Sequence, residues 1–456
     1  MTSLESAVTH FANAMWGTPT VVLLVGGGLF LSLYSRLQCF RFLPHAVAIL
    51  RGKFDTADAP GHINHAQALS TALSGTLGMG NIAGVAIAIS AGGPGAIFWM
   101  WMTAIVGVTT KFYTASLAVM FRGKDSAGEL RGGPMYVIRE GMEEKWYPLA
   151  ALFALAGMLG TLPLFQANQL LALAEVTLFA NAPLQGSDVT LFKLVGSSIV
   201  AALTALVVAG KISRIGALTV RLVPSMVLLY LGITMFAIIE HIDAVPGVFA
   251  LILSDAFSGN AAAGGAIGSM IMIGVRRGAF SNEAGIGTES MAHGSAKTNE
   301  PIREGLVAMT GPLIDSLLVC TCTALIILLT GVWQHAEGIA GVTLTATAMT
   351  TLFPNAGSSL LLLMVALLSF STIVSFWFYG AKCTGFLFGA DKQKYYTPLY
   401  IGLIIVGSLA SLTVVNAFLI GIYAIMAFPT MISTLALAPK VNAAAKRYFQ
   451  TLRKKR

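Results

Sequence analysis

The chain has 456 residues, 56% of them hydrophobic and only 11% charged, with a mean hydropathy of +0.78. This composition excludes an ordinary soluble domain and points to one polytopic membrane domain, residues 1–456. A formal net charge of +8 would suggest nucleic acid in a soluble chain, but here the basic residues sit in short loops, so no nucleic-acid partner is expected.

Met1–Trp16 is polar and mixed, without a basic n-region, so no cleavable signal peptide is expected. The first span is Thr18–Leu37, followed by a basic loop, Gln38–Asn64. The second, Leu69–Ala91, has no charge but carries Gly75, Gly78, Gly80, Gly84 and Asn81. Glycine weakens a helix, and unwound backbone at membrane depth survives only where it is buried or lines a cavity. This stretch therefore reads as a broken helix whose break, near Leu77–Asn81, is a binding site. The competing reading is that its glycines only permit close helix packing.

Ala96–Phe121 is the third span and Arg122–Glu144 a basic loop. Trp146–Phe179, Leu194–Gly210 and Leu222–Ile239 follow, then the acidic Glu240, Asp243 and Asp255. Ala256–Met291 is a seventh, interrupted segment, with Gly274, Gly278, Gly285, Gly287 and Gly294. Gly305–Thr330 is the eighth span; a long loop with a short helix precedes the ninth, Ser358–Phe388. Tyr396–Leu412 and Val414–Leu437 complete eleven, and residues 438–456 form a basic tail suited to anionic lipid.

Alternating these spans puts most Lys and Arg on one side. The positive-inside rule then places the N-terminus outside and the C-terminus in the cytoplasm of a bacterial-type inner (plasma) membrane. The two interrupted segments start five spans apart, so they cross in opposite directions. Matched breaks in inverted halves are the best sequence pointer to a secondary-transporter site. The halves are 65–240 and 256–437, with 18–37 as an extra N-terminal helix.

Freed N–H groups at a break suit a carboxylate, and freed carbonyls suit Na⁺. Gly274 and Gly278 are the expected substrate-facing positions of the second break. Arg276, Arg277 and Glu283 bring charge into that segment, with Glu283 and Asp315 as candidate partners of the arginines. Snorkelling and structural ion pairs compete with substrate contact for all four. Gln166, Asn168 and Gln169 put three amides in one turn, which in lipid must face the bundle. Ser371 and Thr372 supply paired hydroxyls at membrane depth, for an ion or for their own helix. Cys320 and Cys322, two apart on one helix, read as packing. No nucleotide or hydrolase motif is present, so an enzyme is not expected.

The stretch SGTLGMGN, Ser74–Asn81, resembles the unwound first core helix of leucine-transporter-fold amino-acid carriers. More closely, TLGMGNIAGVAIAISAGGPGAIFWMW, GGPMYVI and GVRRGAFSNEAGIGTE resemble the alanine or glycine:cation symporter family. The resemblance implies an all-α, leucine-transporter-like fold of five-plus-five inverted repeats. It also implies sodium-coupled symport of a small neutral amino acid, alanine or glycine first, with Na⁺ as coupling ion and no other cofactor. Carried over by motif, the sodium ligands are the carbonyls of Ser74, Leu77 and Leu368 and the hydroxyls of Ser371 and Thr372. Substrate falls to Met79, Gly80, Asn81, Gln166 and Phe376. Family members usually read G-T-G-N where this chain has Gly78–Asn81, and tryptophan where it has Phe376; acids are also absent at Thr114 and Ala381. A reshaped pocket keeps open a larger neutral substrate such as glutamine, and a non-transporting sensor is a further alternative.

Overall fold

The computed structural model describes residues 3–454 apart from 56–57, 181, 258–265 and 336–340. Part of the seventh expected segment and the last two tail residues lie outside the described residues. Apart from a short hairpin, Gly123–Lys124 with Leu130–Arg131, and one bridge between Ile63 and Ala296, the described residues form helices and their connections. Among the described residues, seven single helices are long and apolar enough to cross a membrane, or up to nine if each of two bent pairs is one span. The eleven expected spans thus do not correspond one to one. Gln393–Leu409 has only 17 residues, and the seventh segment is divided into Ala266–Asn282 and Thr288–His293.

The first broken helix starts at a capping box, in which Asn64 and Gln67 satisfy each other's backbone N–H groups. It runs His65–Thr76, stops where Leu77 turns to ψ 83°, and resumes as a π-helical turn at Gly80–Gly84 that leads into Val85–Gly92. The two arms are bent by 52°. Gly78 is required by contact: a Cβ there would lie 2.7 Å from Thr372 Oγ1.

The second break lies after Asn282, where Glu283, Gly285 and Gly287 take φ of 54°, 84° and 97°. Gly285 and Gly287 are two of the five glycines expected to interrupt this segment, whereas Gly274 and Gly278, expected to face substrate at the break, do not lie in it. Both sit inside the continuous helix Ala266–Asn282, where a missing Cβ lets helix Gly95–Met120 approach. A Cβ at Gly274 would meet Ala96 O at 2.6 Å, and one at Gly278 would meet Thr103 Cβ at 3.0 Å.

Several expected loops are ordered because they cover the bundle. Leu43–Leu50 buries His45, Ala46 and Ile49, and Pro134–Gly141 buries Met135, Tyr136, Val137 and Ile138. The basic tail is no separate segment: it continues helix Leu412–Lys454, 43 residues long despite Pro429 and Pro439. Its end has a partner, since Phe449 stacks on Phe42 at 3.8 Å and Tyr448 OH lies 2.7 Å from His45 Nε2. At its other end the N-terminal helix Ser3–Met15 is tied down by Trp16 Nε1 donating to Ile420 O (2.6 Å) and Ser411 Oγ donating to Glu5 (2.7 Å).

Candidate functional site

The unwound turn Leu77–Met79 leaves carbonyls of the first arm without helical partners. Helix Gly357–Phe388 meets them with its hydroxyl pair. Thr372 Oγ1 lies 2.9 Å from Ser74 O, 2.9 Å from Leu368 O and 3.5 Å from Leu77 O. Ser371 Oγ lies 2.9 Å from Leu368 O. All five residues expected to hold sodium therefore meet in one place, and all are buried. Hydroxyls and carbonyls offer oxygen without a competing N–H, as a hard cation requires. One turn away, the hydroxyls of Ser74 and Ser375 touch, which pins the two helices together.

On the other side of the break Asn81 is fully buried and uses its whole side chain. Its Oδ1 caps the freed Gly78 N–H at 3.0 Å. Its Nδ2 reaches Ser281 Oγ and Asp315 Oδ1, each at 3.1 Å. Asp315 Oδ1 also accepts from Ser281 Oγ at 2.6 Å and Ser316 Oγ at 2.9 Å. Asn81 O accepts from Thr323 Oγ1 at 2.7 Å. Asn81 thus joins both broken helices to helix Pro301–Leu329, whose Leu313–Cys320 part is π-helical.

Met79 and Gly80 line the same break, and both are buried. A Cβ at Gly80 would sit 3.3 Å from the Phe280 ring. Phe280 packs edge-on to Phe165 (5.8 Å) and tilted to Tyr423 (5.4 Å), forming an aromatic layer over the break. Gln166, next to Phe165, is buried with no hydrogen-bond partner for its Oε1 among the described residues. Its neighbours are committed elsewhere: Asn168 Nδ2 donates to Gly407 O (3.1 Å) and Ala410 O (2.8 Å), and Gln169 donates to Asn168 (3.1 Å). Phe376 is buried against the first arm, where a Cβ at Gly75 would lie 3.5 Å from its ring. Trp377 points away and donates to Thr397 Oγ1 at 3.2 Å, so it does not replace Phe376.

Gly274 and Gly278 are not part of this assembly. Nor do Arg276 and Arg277 pair with Glu283 or Asp315. Glu283 accepts from Thr288 and, at 2.9 Å, from Tyr423 OH, which holds the second break in its left-handed turn. Gly285 and Gly287 bring that turn close to Met431 and Thr430, and Thr430 donates to Ile286 O at 2.9 Å. Two features escaped sequence reasoning. Asp315 was named only as a partner for arginine, and no spacing in the chain relates it to Asn81. Glu304 accepts from His65 and, at 2.6 Å, from His293, so one buried carboxylate ties together the ends of both broken helices. The three lie 239 and 11 residues apart, which no local pattern could have revealed.

Residues 1–456 match the model of the sodium:alanine symporter family. The chain is 35% identical to the sodium/alanine symporter AgcS of Methanococcus maripaludis, over 99% of this chain and 98% of that protein. It is 33% identical to the probable sodium/glutamine symporter GlnT of Bacillus subtilis, over 98% and 91%. An uncharacterized transporter of Haemophilus influenzae is 37% identical over 99% and 97%. Among solved structures, MhsT in complex with L-phenylalanine superposes with a TM-score of 0.57 at 12% identity, over 84% of this chain and 89% of that one. At that identity the match shows the fold, which is leucine-transporter-like.

Proposed function

The chain belongs to the sodium:alanine symporter family, and we propose that it is a sodium-coupled carrier of small neutral amino acids, alanine or glycine first. The observation that carries this reading is the meeting of the Ser74, Leu77 and Leu368 carbonyls with the Ser371 and Thr372 hydroxyls beside the break. Na⁺ held there joins the first arm to helix Gly357–Phe388. Ion binding thereby preorganises the break, and the substrate then finds backbone at Met79–Asn81, the free amide oxygen of Gln166 and the face of Phe376. The two halves, 65–240 and 256–437, rock about the filled site to expose it to the other side. Loop charge supports an N-terminus outside and a C-terminus in the cytoplasm of the plasma membrane.

A larger substrate such as glutamine is the second reading. Met79 and Phe376 favour it, because they stand where related carriers usually have threonine and tryptophan. Uptake of labelled alanine into proteoliposomes, with and without an inward Na⁺ gradient, tests the proposal. Accumulation that ignores the gradient would refute sodium coupling. Competition by unlabelled glutamine stronger than by alanine or glycine selects the second reading, and no uptake of any small neutral amino acid sinks the substrate class.

A further inference from the structure

Arg276 and Arg277 are adjacent, half-buried cations within helix Ala266–Asn282. Their hydrogen bonds go to neutral oxygens. Arg276 donates to Asn13 Oδ1 at 3.2 Å and Trp16 O at 2.7 Å, and its buried Nε has no acceptor among the described residues. Among the described residues Arg277 donates to Asn416 Oδ1, at 3.4 Å. Among the described residues no carboxylate forms an ion pair with either. Two like charges at neighbouring positions, half removed from water and without a counter-charge, are costly unless an anion joins them.

The space for one is there. Both arginines line a cavity of about 230 Å³ between the N-terminal helix, the second arm of the first broken helix and helix Leu412–Lys454. That volume is room for about seven waters at liquid density. Its lining combines the apolar Ile87, Ile273 and Ile420 with the polar Asn13, Thr413 and Asn416. Phe280 is one helical turn beyond Arg277, and Tyr423 one turn beyond Ile420, so both belong to the faces that line the cavity. These are the rings that form the aromatic layer over Gly80.

We propose that Arg276 and Arg277 form an outer anion site that holds the carboxylate of the amino acid before it passes the Phe280–Tyr423 layer. The site rests on the transport reading above and on the orientation with the N-terminus outside. The two guanidinium groups take the carboxylate, the amide and hydroxyl oxygens face the ammonium, and the isoleucines face a short side chain. A halide carries the same charge and is the other source of an anion here.

Sodium propionate, a carboxylate without an amine, is the first probe, with sodium chloride at equal concentration as the second. Propionate should raise the unfolding temperature of the purified protein and should do so much less for Arg277→Gln. Arg277→Lys, which keeps the charge, should retain part of the effect. In proteoliposomes, Arg277→Gln should raise the KM for alanine uptake at least about fivefold, the scale of one lost charge-assisted bond, while the equilibrium Kd of labelled alanine at saturating Na⁺ stays within about twofold. The parent KM should rise with added choline salt, and the variant KM should not. A propionate effect that survives in Arg277→Gln, or a KM indifferent to both charge and salt, overturns the site. Stabilisation by chloride that matches propionate overturns the carboxylate assignment. If the parent takes up no amino acid but propionate still stabilises it and not the variant, the outer site stands and the transport reading falls.

Discussion

Thr372→Val is the most direct probe of the proposed sodium site, because valine keeps the shape of threonine and removes only the hydroxyl. Thr372 Oγ1 has carbonyl neighbours at 2.9, 2.9 and 3.5 Å, from Ser74, Leu368 and Leu77. The hydroxyl has one proton to donate among them, and under the proposal its lone pair is what Na⁺ would take. Losing one of five oxygen ligands in a buried site costs about 1–3 kcal/mol. At 1.4 kcal/mol per factor of ten, the Na⁺ concentration for half-maximal uptake should rise roughly 5- to 150-fold. The assay is initial-rate uptake of labelled alanine against Na⁺ at constant ionic strength. Ser369→Ala, on the same helix, is the control: Ser369 Oγ is buried without a partner and takes no part in the oxygen cluster, so its Na⁺ dependence should match the parent's. A Thr372→Val protein that transports at the parental maximal rate with half-saturation within about twofold would mean that the ion is not held there.

Gly78→Ala places a Cβ 2.7 Å from Thr372 Oγ1 and should abolish Na⁺-dependent uptake, whereas Gly84→Ala, with nothing within 4 Å, should transport normally. Comparing the two in membranes with equal amounts of protein checks the steric argument, and a functional Gly78→Ala would defeat it. Glu304→Gln turns two charge-assisted bonds into neutral ones and should loosen the His65 end of the first broken helix. The expected result is a lower unfolding temperature and faster labelling of a cysteine placed on helix His65–Thr76; unchanged labelling counts against the tie. Asp125, in the hairpin outside the spans, is held below the usual carboxylate range, because burial is outweighed by the Arg131 hydrogen bond and the backbone N–H of Glu129. A lowered folded value stabilises the hairpin above the unfolded carboxylate pKa of about 3.9, and that contribution fades as pH falls towards the folded value. Hydrogen exchange over residues 123–131 should therefore show protection at neutral pH that Asp125→Asn lacks; equal protection in the two proteins would remove Asp125 from the account.

Composition and apolar run length were enough to identify a membrane bundle, and the dense glycines with Asn81 were enough to mark the first break. That feature was legible because an uncharged span with glycines around an amide has few other uses. The second break is legible only in part, because a glycine that admits a neighbouring helix looks the same in sequence as one that turns the chain. Gly274 and Gly278 do the first, and Gly285 and Gly287 do the second. Side chains that meet only after folding stayed hidden. Asp315 reaches Asn81 across 234 residues, and the approach follows from how the helices pack rather than from any local pattern. The helical packing of the basic tail is hidden for a related reason, since its charges suggest solvent or lipid while Phe42 and His45, which cover it, lie far away in sequence.

Helix Leu412–Lys454 touches the arginine cavity at Asn416, the aromatic layer at Tyr423 and the second break at Thr430, and it ends beside His45. At 1.5 Å per residue it is about 65 Å long, roughly twice the thickness of the hydrocarbon core. To the extent that it moves as one body, despite Pro429 and Pro439, such a helix would act as a pointer. Residues 430 to 454 span about 36 Å, so a tilt of about 5° about Thr430 displaces the far end by about 3 Å. A change too small to see at the aromatic layer therefore becomes measurable at the aqueous end, where a spin label on exposed Thr451 could follow it.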